Sequence, residues 1–140
     1  MDPEEARGLL ASARVASLAT CDADGQPHLV PITFALDRDV ILTAVDHKPK
    51  RTTNLRRLRN IAANPRVAVL ADHYEDDWSR LWWVRADGTA TVVEPETPEH
   101  VDAVARLAER YEQYRQRPPD GPAIAITVSR WSGWRATPPA

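Results

Sequence analysis

Short segments of strand-forming composition recur along the whole chain, separated by turns or single helical segments. Valine, isoleucine, threonine and aromatic residues dominate them, and these residues favour the pleated backbone of a sheet. In chain order the segments are "RVASLAT", "HLVPITFAL", "VILTAV", "RVAVLA", "RLWWVRADGTATVVE" and "AIAITVSRW". Six or so mostly antiparallel strands with short helices predict a small β-barrel of the α+β class. The 140 residues suffice for one domain, which we expect to span 1–140.

Two of these segments carry residues that limit how a sheet can use them. Pro31 interrupts the second segment, so that stretch is predicted as an edge strand, a bulge, or a backbone covered by something other than a strand. The first three segments are predicted to form an antiparallel meander. Asp87-Gly88 lies inside the fifth segment, where a bulge in one continuous strand is favoured over a hairpin.

Three helices are predicted between the strands. "MDPEEARGLLASA" opens the chain, with Asp2 as its N-cap. "TTNLRRLRNIAAN" follows the third strand, with Thr52 or Thr53 as its cap and Asn64-Pro65 at its end. "TPEHVDAVARLAERYEQYRQR" has acidic residues at its start and arginines at its end, as the helix dipole prefers.

Charge and composition exclude several classes of protein. The formal net charge is -2 and the charged fraction is 27%, which predicts no polyanion partner for the chain as a whole. No apolar run approaches the ~20 residues of a membrane span, and the acidic N-terminus does not resemble a secretory signal. With Cys21 as the one cysteine, neither an intramolecular disulfide nor a metal site is expected. A cytoplasmic protein without a membrane partner is the expectation.

A basic block contrasts with this mildly acidic chain. From His47 to Ala71 there are seven Lys or Arg and no Asp or Glu. The free N–H groups of a helix start, together with neighbouring cations and hydroxyls, form a site for phosphate. The residues that meet there are Lys50, Arg51, Thr52, Thr53 and Asn54.

Two other interpretations of the block remain open from the residues alone. Arg56, Arg57 and Arg59 are compatible with a solvated helix face. A nucleic-acid backbone is a further possible partner, but no helix-turn-helix or aromatic-interleaved motif accompanies the block, so nucleic acid is disfavoured.

Tryptophan is abundant, with five residues against one phenylalanine. Trp82 and Trp83 are adjacent on a predicted strand, so their side chains point to opposite faces. One is expected in the core and the other against a partner subunit, a ligand or solvent. Trp131 and Trp134 near the C-terminus are candidates for an interface or a ring-shaped ligand, with ordinary core packing as the alternative.

The ordered pattern resembles the pyridoxamine 5'-phosphate oxidase-like family, and within it the branch from actinobacteria that uses the deazaflavin coenzyme F420. Nearly the whole chain takes part, and the most specific piece is "KPKRTTNL" followed by "NPRVAVL". The resemblance implies a split β-barrel, mostly β, which forms a homodimer with the cofactor at the subunit interface.

The resemblance also implies which residues hold the cofactor. Arg51 and Thr52 correspond to the phosphate-binding positions, with Asn54 nearby and Lys48 and Lys50 as helpers. Two further stretches would lie along the flat ring. They consist of Val30, Pro31, Ile32 and Thr33, and of Leu42, Thr43 and Ala44.

The implied activity is hydride transfer between F420 and a small organic acceptor that the sequence does not identify. An FMN-dependent oxidoreductase of the same fold is the alternative, because both cofactors carry a ring, a ribityl chain and a phosphate. Extra cations such as Lys48, Arg56 and Arg57 favour the deazaflavin with its acidic tail. A non-catalytic cofactor-binding protein is the third possibility, and no side chain stands out as catalytic.

Overall fold

Seven strands and four helices make up the fold in this computed structural model, which describes residues 1–45 and 51–137, with the side chains of 51–55 outside the description. The helices are α1 (Pro3–Ser12), α2 (Arg51–Ala63), α3 (Pro98–Arg110) and α4 (Glu112–Gln116). The strands are β1 (Ala16–Cys21), β2 (Pro27–Ile32), β3 (Ala35–Asp37), β4 (Val40–Ala44), β5 (Arg66–His73), β6 (Trp82–Val93) and β7 (Ala123–Arg135).

All seven strands form one antiparallel sheet in the order β2-β1-β5-β6-β7-β4-β3. Its two end strands, β2 and β3, are separated in the chain only by Thr33 and Phe34. The sheet therefore curls until its ends approach, and the Thr43 hydroxyl donates to the Thr33 carbonyl oxygen across 2.7 Å. This half-barrel with short helices confirms the predicted split β-barrel of the mostly β, α+β class.

The predicted meander is wrong, because "HLVPITFAL" is two strands that pair with different neighbours. β2 pairs with β1, whereas β3 pairs with β4. Phe34 sits at the break with 0% exposure, and its backbone hydrogen-bonds to side chains of α3 and the residue after it. Pro31 lies on β2, an end strand of the sheet, which agrees with the predicted edge position.

The predicted bulge in the fifth segment is confirmed. β6 runs unbroken through Asp87-Gly88, and its pairing with β7 shifts register there. A Cβ atom on Gly88 would overlap the carbonyl oxygen of Thr127. Glycine is required at this position because the backbone of β7 passes too close for any side chain.

Two predicted boundaries near the C-terminus are corrected. The third helix breaks at Tyr111, whose backbone is extended (φ -123°, ψ 116°), so α3 and α4 replace one long helix. The final strand extends past Trp131 to Arg135, because residues 132–135 pair with the start of β6.

A single apolar cluster fills the barrel and continues beneath α1. Its largest fully buried members include Phe34, Leu18, Ile41, Val69 and Ile124. Asp2 caps α1 as predicted, accepting from the Glu5 amide at 2.8 Å, and Leu10 of that helix is completely buried. The helix α3 packs over β3 and β4 on the other side of the sheet. No helix in the described part of the chain is long and apolar enough to cross a membrane.

Candidate functional site

The predicted phosphate anchor lies at the junction between β4 and α2. Lys48 and Lys50 fall outside the described residues. Arg51, Thr52 and Asn54 are in the first turn of α2, and their side chains also lie outside the description. Because α2 begins at Arg51, neither Thr52 nor Thr53 precedes the helix, and the prediction that one of them caps it is wrong. The phosphate contacts stay a prediction.

The first predicted ring-binding stretch ends at the edge of the sheet. On β2, Ile32 is 4% exposed and points with the half-buried Val30 into the barrel core, whereas Pro31 is exposed on the outer face. Thr33 follows the strand. Its hydroxyl lies 2.8 Å from the Tyr114 hydroxyl.

The second predicted stretch is buried on both sides. Leu42, Thr43 and Ala44 are 7%, 1% and 4% exposed, because β4 lies between the barrel interior and α3. Leu42 packs with Ala103 of α3, and Ala44 packs in the cluster that contains Tyr114. The structure thus brings Thr33 and Thr43 together, while the side chains of Leu42 and Ala44 face α3.

Tyrosine and arginine side chains from the α3–α4 junction fix the backbone beside Thr33. The Tyr111 hydroxyl accepts from the Phe34 amide (3.2 Å) and lies 2.9 Å from the carbonyl oxygen of Arg14. Arg110 donates to the Phe34 carbonyl oxygen (2.9 Å) and to that of Ala13 (2.5 Å). Thr33 and Thr43, one from each predicted ring-binding stretch, therefore lie beside a backbone segment that these hydrogen bonds hold in place.

A polar cleft of about 410 Å³ lies between the β1–β2 turn and α2. We call it the α2 cleft. Arg56, Arg59, Asn60 and Ala63 all line it, because residues three and four apart share one helix face. The other lining residues are Asp22, Ala23, Gln26, Pro27 and His28.

His28 is the residue of the α2 cleft whose role the sequence did not show. Its Nδ1 atom is buried, and no described residue forms a hydrogen bond to it. Burial lowers the pKa of His28 below its usual 6.5, and the positive charges of Arg56 and Arg57 lower it further. Alternation along β2 indicates that His28, Val30 and Ile32 point to the same side, but it does not indicate that His28 lies near Arg56.

The outer surface of β2, β1, β5 and β6 carries an apolar patch, and we call this surface the outer sheet face. Leu29 is 67% exposed there and Leu70 is 41% exposed. A shallow groove of about 480 Å³ runs between them, lined by Ser17, Ala19, Leu29, Ala68, Leu70, Asp72, Tyr74, Trp83 and Arg85. Contiguous exposed apolar surface of this kind is typical of a binding surface.

The prediction that Trp82 and Trp83 point to opposite faces of the strand is confirmed. Trp82 packs against the barrel core, whereas Trp83 lies on the outer sheet face. Trp131 also contacts the core, and its indole N–H donates to Asp39 at 2.9 Å. Trp134 is 46% exposed and pairs in register with Trp83.

Metal-ligand geometry is not found in the described ranges, where no group of three His, Cys, Asp or Glu side chains is close enough to hold an ion.

Known structures of the same fold include a FAD-binding protein from Mesorhizobium loti (TM-score 0.73, 22% identity, 95% of this chain and 94% of that one). A conserved hypothetical protein from Mycobacterium tuberculosis is 27% identical over 97% of this chain and 86% of its own, with a TM-score of 0.71. A heme storage protein from Vibrio cholerae has a TM-score of 0.73 and is 18% identical, over 95% of this chain and 93% of its own. No curated protein sequence matches the chain.

The sequence pattern of the family described as pyridoxamine 5'-phosphate oxidase matches residues 2–135. That match includes all seven strands and both predicted ring-binding stretches. This chain therefore belongs to the pyridoxamine 5'-phosphate oxidase family.

Proposed function

We propose that the protein is an oxidoreductase that depends on coenzyme F420 and acts on a small organic acceptor. The observation that carries this proposal is the concentration of positive charge around α2. Seven Lys or Arg lie between His47 and Ala71 in a chain of net charge -2, with no acidic residue among them. A deazaflavin with a phosphate and an acidic tail matches such a surface better than FMN, which carries the phosphate alone.

The residues present fit such a cofactor. At the β4–α2 junction, Arg51, Thr52 and Asn54 would hold the phosphate, with Lys48 and Lys50 as further cations. In the adjoining α2 cleft, the buried Nδ1 atom of His28 has hydrogen-bonding capacity that no group in the described ranges uses.

The flat ring would lie along 30–33 and the end of β4. The free edge of β2 there offers backbone groups that no other strand of the described chain pairs with. When bound, the cofactor supplies the hydride chemistry. The protein would bind the phosphate through the residues at the start of α2 and hold the ring near Thr33.

A homodimer is part of the proposal, with the outer sheet face as the contact between subunits. Leu29, Leu70 and Trp83 form its apolar centre. Exposed aliphatic and aromatic side chains of this kind are stabilised when a second copy covers them.

Two other functions have support from similar structures. FAD-binding proteins of the same fold, one from Mesorhizobium loti and one from Mycobacterium smegmatis, favour a flavin such as FMN in place of F420. The heme storage protein from Vibrio cholerae favours a non-catalytic binding role. All three functions place a planar ring on this barrel.

Titration of the purified protein with F420 and with FMN, followed by tryptophan fluorescence, distinguishes these functions. We expect tighter binding of F420. Arg51→Ala should weaken it by about 10- to 100-fold, because a hydrogen bond to a charged group contributes roughly 1.5–3 kcal/mol. Arg130→Ala, which removes an exposed arginine from β7, is the matched control and should leave binding unchanged.

Tight binding of FMN alone would overturn the deazaflavin assignment, and heme binding without either would favour the storage role. With F420 bound, oxidation of its reduced form by candidate acceptors then identifies the substrate class.

A further inference from the structure

The α2 cleft contains more positive charge than the protein itself neutralises. Arg56 and Arg59 are exposed at its rim, and no carboxylate forms an ion pair with either in the part of the chain that the structure describes. Asp22 is the acidic residue of the lining, and its carboxylate already accepts from the backbone amides of Asp24 and Gln26, each at 2.9 Å. The two guanidinium groups are thus available to an outside anion.

Two of the lining residues, Asn60 and His28, carry buried polar atoms. Asn60 is 4% exposed and donates to the Thr20 hydroxyl at 3.0 Å, which fixes its position on α2. His28 lines the same cleft, and its buried Nδ1 atom has no hydrogen-bond partner among the residues that the structure describes. An unsatisfied buried ring nitrogen costs free energy, and a ligand that hydrogen-bonds to it would remove that cost.

We propose that the α2 cleft is a second anion site, which binds a carboxylate or phosphate group through Arg56, Arg59 and the His28 imidazole. It is separate from the predicted phosphate anchor, since it lies along the middle and end of α2 while the anchor is at the helix start. Two arginines one turn apart can hold the oxygens of one such group, or two neighbouring carboxylates of a flexible acidic chain.

The acidic group has two possible sources. One source is the tail of the bound cofactor, and this alternative rests on the proposed function. The other source is a free acidic substrate, and this alternative does not rest on it. Both sources present the same chemistry to Arg56 and Arg59, so the experiment needs one set of probes without the cofactor and one set with it.

The probes without cofactor are inorganic phosphate and a triglutamate peptide, followed through the NMR signals of the His28 ring. We expect saturable shifts and a rise in the pKa of His28, because an anion stabilises the protonated imidazole. The double variant Arg56→Gln/Arg59→Gln should bind about tenfold more weakly, with Arg130→Gln as the matched control. Circular dichroism checks that each variant is folded. If neither probe shifts the His28 signals, the proposal is wrong.

The probes with cofactor are F420 and the same molecule without its glutamate residues. If the tail occupies the cleft, the wild-type protein prefers the complete cofactor and the double variant loses that preference. Equal affinity for both, with triglutamate still bound, identifies a free acid as the ligand. Binding of triglutamate to a protein that binds neither cofactor refutes the proposed function and supports the second anion site.

Discussion

Removal of one hydroxyl group at Tyr111 tests how the barrel is closed. In the variant Tyr111→Phe, the Phe34 amide loses its acceptor at 3.2 Å in a residue that is 0% exposed. The Phe34 carbonyl oxygen keeps its bond to Arg110, so the main loss is one buried N–H left without a partner. Such a loss costs about 1–3 kcal/mol in free energy of unfolding. For a chain of this size the melting temperature should fall by roughly 3–10 °C.

Urea unfolding of the protein without cofactor, followed by tryptophan fluorescence, measures this change. Tyr74→Phe is the matched control, since Tyr74 is 66% exposed and lies outside the α3–α4 junction. Its free energy of unfolding should change by less than about 0.5 kcal/mol. Equal stability of the two variants would show that the Tyr111 hydroxyl does not hold the Phe34 backbone, and the account of barrel closure would then be wrong.

Two further predictions concern the bulge and the outer sheet face. Gly88→Ala should destabilise the protein by about 1–3 kcal/mol, because the added Cβ overlaps the Thr127 carbonyl oxygen. Gly8 in α1 has open space around it, so Gly8→Ala should instead stabilise the protein by up to about 1 kcal/mol. The melting temperatures of the two variants in thermal unfolding check both predictions. Leu29→Glu should convert a dimer to monomer in sedimentation experiments, whereas Val101→Glu on the exposed side of α3 should not. A wild-type monomer at micromolar concentration would contradict the proposed interface.

The architecture was largely predictable because composition and turn residues carry local information. Strand-forming segments, the edge position of Pro31 and the bulge at Gly88 all follow from preferences of single residues. The break at Thr33-Phe34 was not predictable. Its apolar pattern continues unbroken, and the contacts that divide it come from Arg110 and Tyr111, which are 76 and 77 residues away.

The candidate site also has one part that the sequence predicted and one part that it did not. The phosphate anchor at Arg51 is a prediction, which a local cluster of cations before a helix and the resemblance together support. The α2 cleft depends on how that helix packs against the β1–β2 turn, which places Arg56 beside His28. No spacing in the sequence indicates this contact, so the sequence alone left these arginines as either contacts to the cofactor's tail or plain surface.

The two end strands of the sheet, β2 and β3, are neighbours in the chain, and this has a consequence for folding during synthesis. The edges of the sheet leave the ribosome before its centre, since β5, β6 and β7 follow β4 in the chain. β1 cannot pair with β5, nor β4 with β7, until the later strand of each pair has been synthesised. The later of these two strands, β7, ends at Arg135. Pairing across such long separations is slow. We expect the barrel to close only after β7 has been synthesised, with the edges of β1 and β4 exposed until then.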